Sequence, residues 1–266
     1  MKRGIALTIT LTLAVAVVAC DHAHQGRTVP ATGVSGEPVP GASGQPPTLT
    51  GRRWSGELFK SADGFRRVSA SWTVPAVTCA PGETGYAYAW VGLGGWHVDP
   101  ALEQIGTAES CYRGTPRYFF FWEFWPALPN AGDPDAVFGY PVAPGDVIDA
   151  SVRRGSGGVY QVLERDRTQG WSFARSGSSP AYSPQSSVDA KTGPGNTTAE
   201  VVQEDVTQKH PDLPNYRSID FTNVVADPVG WPVMRPFLVR TLASGVLTQD
   251  SEVRGDRLTV FWRRRS

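Results

Sequence analysis

From Gly51 onward the chain never sustains a helical period. Apolar residues recur at every second position over short stretches, and clusters of Gly, Pro, Asn and Asp cut those stretches apart. In Val68 to Val74 the residues Val68, Ala70, Trp72 and Val74 share one face, while Ser69, Ser71 and Thr73 take the other. Tyr86 to Val91 is apolar or aromatic throughout, and Tyr118 to Trp125 is an aromatic segment with one carboxylate, Glu123, on the face of Phe119, Phe121 and Trp125. Asp146 to Val152, Val159 to Leu163, Ala199 to Val206, Ser218 to Val225 and Leu258 to Trp262 read as further strands. Many short strands without a fixed repeat predict an all-β domain, a sandwich of two packed antiparallel sheets rather than a propeller.

A core of that kind is within the chain's means. Hydrophobic residues make up 40% of the 266 positions and charged ones only 19%, which excludes wholesale disorder. Lys and Arg total 25 against 25 for Asp and Glu, so no basic surface steers nucleic acid. The one basic run, Arg263 to Arg265, reads as a solvated tail.

The N-terminus reads as an address. Lys2 and Arg3 precede an uncharged apolar run from Gly4 to Ala19, which is short of the roughly 20 residues a bilayer span needs. The run ends at Ala19–Cys20, a small residue and a cysteine, and resembles the cleavage site of bacterial lipoproteins. Residues 1–19 are therefore expected to be a signal peptide, with Cys20 lipidated as the first mature residue. An ordinary signal peptide or an uncleaved anchor are the alternatives. Residues 20–50, rich in Gly, Pro, Ser and Thr, read as a flexible tether or a short propeptide ahead of one domain spanning 51–266. An extracytoplasmic protein, secreted or lipid-anchored at the cell membrane, is the expectation. With Cys20 lipidated, Cys79 and Cys111 remain as an even pair, for which a disulfide is expected in an oxidising compartment. Two free thiols are the alternative. Zinc is a poor fit, because the domain offers only His97 and His210 and no paired cysteine spacing, and no cofactor motif is present. A closed sandwich buries its core alone, so a monomer is expected.

Nucleophilic hydrolysis is hard to build from these residues. A Ser–His pair would have to use His97 or His210, and neither accompanies a GxSxG elbow. Carboxylates are the remaining tools. In Leu102 to Thr107 the face of Leu102 and Gly106 also carries Gln104, and in Ala199 to Val206 the face of Val202 and Val206 carries Glu200 and Glu204. Polar groups on an apolar face are paired, functional or turned to solvent, since burying one unpaired costs about 1–3 kcal/mol. Alternation alone leaves those options open.

The motifs WSG at Trp54 to Gly56, SASWTVPAV at Ser69 to Val77, WVGLGG at Trp90 to Gly95, LEQIGT at Leu102 to Thr107, FFWEFWPA at Phe120 to Ala127, PGDVI at Pro144 to Ile148 and AEVVQED at Ala199 to Asp205 occur in one order along the chain. In that order they resemble the glutamic peptidases, or eqolisins, over Gly51 to about Asn223. The resemblance implies a lectin-like jelly-roll (concanavalin A-like) sandwich with its site on a concave sheet face. It implies an endopeptidase acting on polypeptides at acidic pH without metal or cofactor. Gln104 and Glu200 fall on the catalytic positions. Glu200 would activate water and then protonate the leaving amine, while Gln104 would stabilise the oxyanion. Trp54, Gly56, Trp90, Gly106 and Glu123 fall on substrate-binding positions, although packing explains Trp54 and Trp90 equally well. Glu123, a carboxylate among aromatic rings, needs a partner in any case. The chain departs from the family pattern at Gly94, Ala108 and Phe119, where acidic residues are expected, which alters the electrostatic setting of Glu200. Two other readings use the same residues: a glycoside hydrolase pairing Glu123 with Glu200, and a non-catalytic lipoprotein whose aromatic groove captures peptide or glycan.

Overall fold

The computed structural model describes residues 48–51, 54–96, 101–125, 128–129, 139–177, 197–205, 213–227, 232–238, 248–250 and 255–263. The expected signal peptide, Cys20 and almost all of the expected tether lie outside them. The strands are, in chain order, β1 (Thr48–Gly51), β2 (Trp54–Lys60), β3 (Arg67–Thr73), β4 (Gly85–Gly94), β5 (Leu102–Tyr112), β6 (Thr115–Trp125), β7 (Leu128–Pro129), β8 (Val147–Arg154), β9 (Tyr160–Asp166), β10 (Ser172–Gly177), β11 (Thr198–Asp205), β12 (Ser218–Asp227), β13 (Pro232–Leu238), β14 (Thr248–Asp250) and β15 (Leu258–Trp262).

They form the expected two-sheet sandwich. One sheet runs β1-β13-β2-β11-β4-β5-β6-β7 and the other β10-β9-β8-β3-β12-β15-β14. All pairings are antiparallel except the parallel edge pair of β1 with β13. The main core fills the space between the sheets. It takes Ala87, Ala89, Val91 and Leu93 from β4, and Phe120, Trp122 and Phe124 from β6. From the opposing sheet come Val68, Ala70 and Trp72 of β3 and Ile148, Ala150 and Val152 of β8. The alternate residues of β4, β6 and their neighbours build a second apolar cluster on the far face of the eight-stranded sheet: Tyr88, Trp90, Leu102, Ala108, Phe119, Phe121 and Val202. Both faces of this sheet are therefore buried, which explains why β4 and β6 read as nearly continuous apolar runs.

Two local features set the register that matters for the site. β5 and β6 join through Arg113 and Gly114, with φ of 52° and 81°, between the paired residues Tyr112 and Thr115. Two successive positive φ values make the tight hairpin turn whose twist matches the flanking strands, and Gly meets that demand without strain. That turn counts back to bring Gln104 opposite Glu123. Beside it, Cys111 is bonded to Cys79 with their Cα atoms 5.6 Å apart, the expected disulfide.

Candidate active site

Five strands at the middle of the eight-stranded sheet lay out the site in rows. One row runs Leu58 (β2), Glu200 (β11), Gly92 (β4), Gln104 (β5) and Glu123 (β6), each in register with the next. The row beside it is Gly56, Val202, Trp90, Gly106 and Phe121, and the third is Trp54, Glu204, Tyr88, Ala108 and Phe119. Cross-strand partners share a face, so Gln104, Glu123 and Glu200 come together on the face of the second apolar cluster. Gly92 separates Gln104 from Glu200. With strands about 4.8 Å apart, their Cα atoms stand about 10 Å apart across a residue that has no side chain. The pattern WVGLGG held this residue in plain view, but only strand pairing reveals it as the floor between two polar side chains.

The space above Gly92 is closely bounded. A Cβ there would stand 2.7 Å from the Trp90 ring and 2.8 Å from a Leu102 methyl. Gly56 and Gly106 lie in the Trp90 row, where a Cβ would collide with the Val201 and Ala89 carbonyl oxygens respectively; their place in the sheet serves close backbone approach. Trp90 itself is fully buried. Its indole N–H donates to Glu204 Oε2 at 3.0 Å, and its ring meets Trp54 edge-on with centroids 5.1 Å apart. Trp54 and Trp96, tilted against each other at 5.7 Å, are half-buried. On this face Tyr86 and Trp125 are likewise half-buried, so these aromatic side chains retain surface for a ligand.

Glu123 has the partner its setting demands. Gln104 Nε2 donates to Glu123 Oε2 at 2.7 Å. Burial pushes the Glu123 carboxyl up, the Gln104 hydrogen bond draws it back, and the negative charge of Glu204 pushes it up again, to about 7. Ala108 and Phe119, two of the departures from the family pattern, are paired with each other, and Phe119 packs edge-on against Tyr88. An aromatic patch therefore stands where acids were expected. The third departure, Gly94, closes β4, opposite Leu102.

Sequence reasoning missed a second group of acids. Glu109 and Glu164, on β5 and β9, are fully buried between the sheets. Glu109 accepts from Thr107 Oγ1 at 2.9 Å and from Gln203 Nε2 at 3.4 Å, and Trp72 Nε1 donates to the Thr107 hydroxyl. Burial nevertheless pushes Glu109 up to about 8. Burial, Asp166 and Glu109 together push Glu164 well above the usual carboxylate range.

A model of the Peptidase A4 family matches residues 52–237. Among solved structures, the fold is similar to that of scytalido-glutamic peptidase bound to a transition state analog inhibitor, with a TM-score of 0.60 and 20% identity over 80% of this chain and 98% of that one. It is also similar to SCP-B, a member of the eqolisin family in complex with the tripeptide Ala-Ile-His, with a TM-score of 0.57 and 20% identity over 80% and 98% of the two chains. Aspergilloglutamic peptidase from Aspergillus niger is 23% identical over 67% of this chain and 99% of that one, with a TM-score of 0.49. Comparison with curated proteins finds no match. At these identities the first two solved structures carry the fold, and the family model carries the activity: the chain belongs to the Peptidase A4 family, the glutamic peptidases, and is an endopeptidase.

Proposed function

We propose that this endopeptidase cleaves polypeptides with Glu200 as general base and Gln104 as oxyanion donor, favoured by acidic pH. The observation that carries the proposal is the row in which both residues flank Gly92. A water admitted between the two side chains, in the space that the Trp90 ring and Leu102 bound closely, would meet both. Glu200 as carboxylate takes a proton from the water as it attacks the scissile carbonyl, and then returns that proton to the leaving amine. The carbonyl oxygen gains negative charge in the same step, and an amide N–H from Gln104 stabilises it without titrating. Glu123 holds Gln104, while Trp54, with surface still open, borders the path of the substrate beside Trp90. Gly106 supports this site by letting β5 approach Trp90 closely, and Gly56 does the same for β2 against Val201 and Val202.

Family membership sets aside the glycoside hydrolase and the purely binding lipoprotein. Register argues the same way, because Glu123 stands one strand further from Glu200 than Gln104 does.

The reading extends to where the enzyme works. A disulfide at Cys79–Cys111 suits an exported domain, and the proposed route is export followed by lipidation of Cys20, with residues 20–50 as tether and the domain monomeric. Mass spectrometry of the native N-terminus tests this, with a mature start other than lipidated Cys20 as the contrary result. For the activity itself, digestion of an unfolded protein should be followed over a pH series. Cleavage strongest at acidic pH supports the reading, and no cleavage at any pH at which the domain is folded contradicts it.

A further inference from the structure

Gln104 and Glu123 are both enclosed, with 7% and 6% of their surfaces exposed. The amide spends a donor on its neighbour, Nε2 to Glu123 Oε2, while its other end is unsatisfied: Gln104 Oε1 is buried and accepts no hydrogen bond. A buried acceptor left in that state costs about 1–3 kcal/mol. A primary amide offers two N–H donors at one end and acceptor lone pairs at the other, with nearly the same shape after half a turn about its terminal bond. Whichever end Glu123 does not hold is the end left for the gap over Gly92. An N–H end there stabilises an oxyanion, and an oxygen end repels one.

We propose that Glu123 is a positioning residue whose protonation state selects which end of the Gln104 amide serves the reacting carbonyl. As a carboxylate, Glu123 accepts one N–H from Nε2 and keeps that end of the amide turned toward itself. As a carboxylic acid it has an O–H to give, and Gln104 Oε1 is the nearby acceptor that lacks a partner. The amide then turns, Oε1 is satisfied, and both N–H groups are released toward the gap. Glu123 keeps its proton throughout turnover, so the proton moved in catalysis remains the one handled by Glu200. The inference rests on the Gln104–Glu200 reading of the site.

The surroundings favour the protonated form over a wide range. Among the described residues, the neighbouring strands present Glu200 and Glu204 from β11 and Tyr86 and Tyr88 from β4 on the face of Glu123, and the charge of Glu204 acts on it. Its own strand presents Phe119, Phe121 and Trp125 on this face, with Arg117 six residues away, and Leu128 and Pro129 of β7 carry no ionisable group. Among the described residues the cations on this face are Arg117 and Lys60, both exposed, while each neighbouring carboxylate disfavours a second negative charge. Glu200 must be ionised to act as a base, while Glu123 must be neutral for the amide to face the substrate. The rate therefore falls as pH rises through about 7, where Glu123 ionises.

The test compares wild type with Glu123→Gln on fluorescein-labelled casein from pH 4 to pH 9, with circular dichroism confirming the fold at each pH. Glutamine at this position can donate to Gln104 Oε1 at every pH. Wild-type kcat/KM should fall about tenfold per pH unit above the Glu123 transition. Glu123→Gln should keep most of the wild-type rate at pH 5 and show no decline at neutral pH while the fold holds. A folded Glu123→Gln that is inactive at pH 5, or that shares the wild-type upper limb, overturns the proposal. Side-chain amide NMR of the wild type supplies a readout that needs no activity, the Gln104 signal being identified by its loss in Gln104→Glu. That signal should shift with a midpoint near 7, and a signal that stays fixed from pH 5 to pH 9 overturns the proposal. Casein cleavage that survives in Glu200→Gln would sink the dyad reading. Cleavage lost in Glu200→Gln, with an unchanged upper limb in Glu123→Gln, would sink this inference alone.

Discussion

Glu200 and Gln104 are held apart by a residue with no side chain: both stand in register with Gly92, one from each neighbouring strand. The gap this leaves has its width set by strand spacing and is bounded closely by the Trp90 ring and Leu102.

Filling that gap should damage turnover more than folding. In Gly92→Ala the new methyl would crowd the Trp90 ring and Leu102, and overpacking of this kind costs about 1–3 kcal/mol. Displacing the water or the carbonyl by about 1 Å would cost about 100-fold in kcat. Thermal unfolding and steady-state kinetics on the same sample separate the two effects. Wild-type kcat in a folded Gly92→Ala would show that the gap is not where water attacks.

The interior acids predict a protein that weakens as pH rises. Glu109 and Glu164 titrate above the usual carboxylate range in the fold, so the folded state holds protons that the unfolded chain has released. Their contribution is fully present below about pH 4.5 and is lost progressively as pH rises through about 8 for Glu109, with Glu164 acting in the same direction. Each such group lowers stability by up to about 1.4 kcal/mol per pH unit between its two pKa values. Tm measured from pH 4 to pH 8 should fall, and Glu164→Gln should flatten the fall. A Tm that rises over this range would contradict the burial described here.

Much of this was legible in the sequence, and what was not has a common cause. Alternation assigned Gln104 to the face of Leu102 and Gly106, Glu200 to that of Val202, and Glu123 to that of Phe121 and Trp125, because side-chain direction is a local property of a strand. Register is not local. It depends on which strands pair, so Gly92, though in view in WVGLGG, could not be recognised as the common neighbour of Glu200 and Gln104. The same limit hid Glu109 and Glu164. Both faces of β5 are buried, and a period of two cannot say which of two buried faces meets the other sheet. Trp54–Lys60 and Ser172–Gly177 are two of six observed strands that alternation does not place, the others being β1, β7, β13 and β14. The glycine of the first and the exposed polar residues of the second break the alternation.

The Cys79–Cys111 bridge ties the β5–β6 hairpin to the segment that follows β3. Closing a loop of 32 residues in sequence is worth about 3–4 kcal/mol in the chain-entropy model. Replacing both cysteines by Ala should lower the denaturant midpoint by a matching amount. An unchanged midpoint would show that the unfolded chain gains nothing from release of the loop.

Gln104 and Glu200 should fail differently when altered. Gln104→Ala removes an oxyanion donor and should cost about 100- to 1,000-fold in kcat, with KM less affected. Gln104→Glu replaces a neutral donor by a group that ionises, and should be impaired most at neutral pH, where its charge would repel the oxyanion. A Gln104→Ala enzyme that loses only substrate affinity would move Gln104 from oxyanion stabilisation to binding.

The most direct measurement is kcat for Glu200→Gln beside Glu204→Gln and Glu123→Gln on one unfolded protein substrate at pH 5, each variant first shown to be folded. Glu204 lies on the same strand and face as Glu200, four residues along, which makes it the control for any general effect of removing a carboxylate. Glu200→Gln should lose at least about 100-fold in kcat, while Glu204→Gln and Glu123→Gln retain most activity. Turnover that survives in Glu200→Gln and is abolished in Glu204→Gln or Glu123→Gln would contradict the account and move the catalytic carboxylate to that residue.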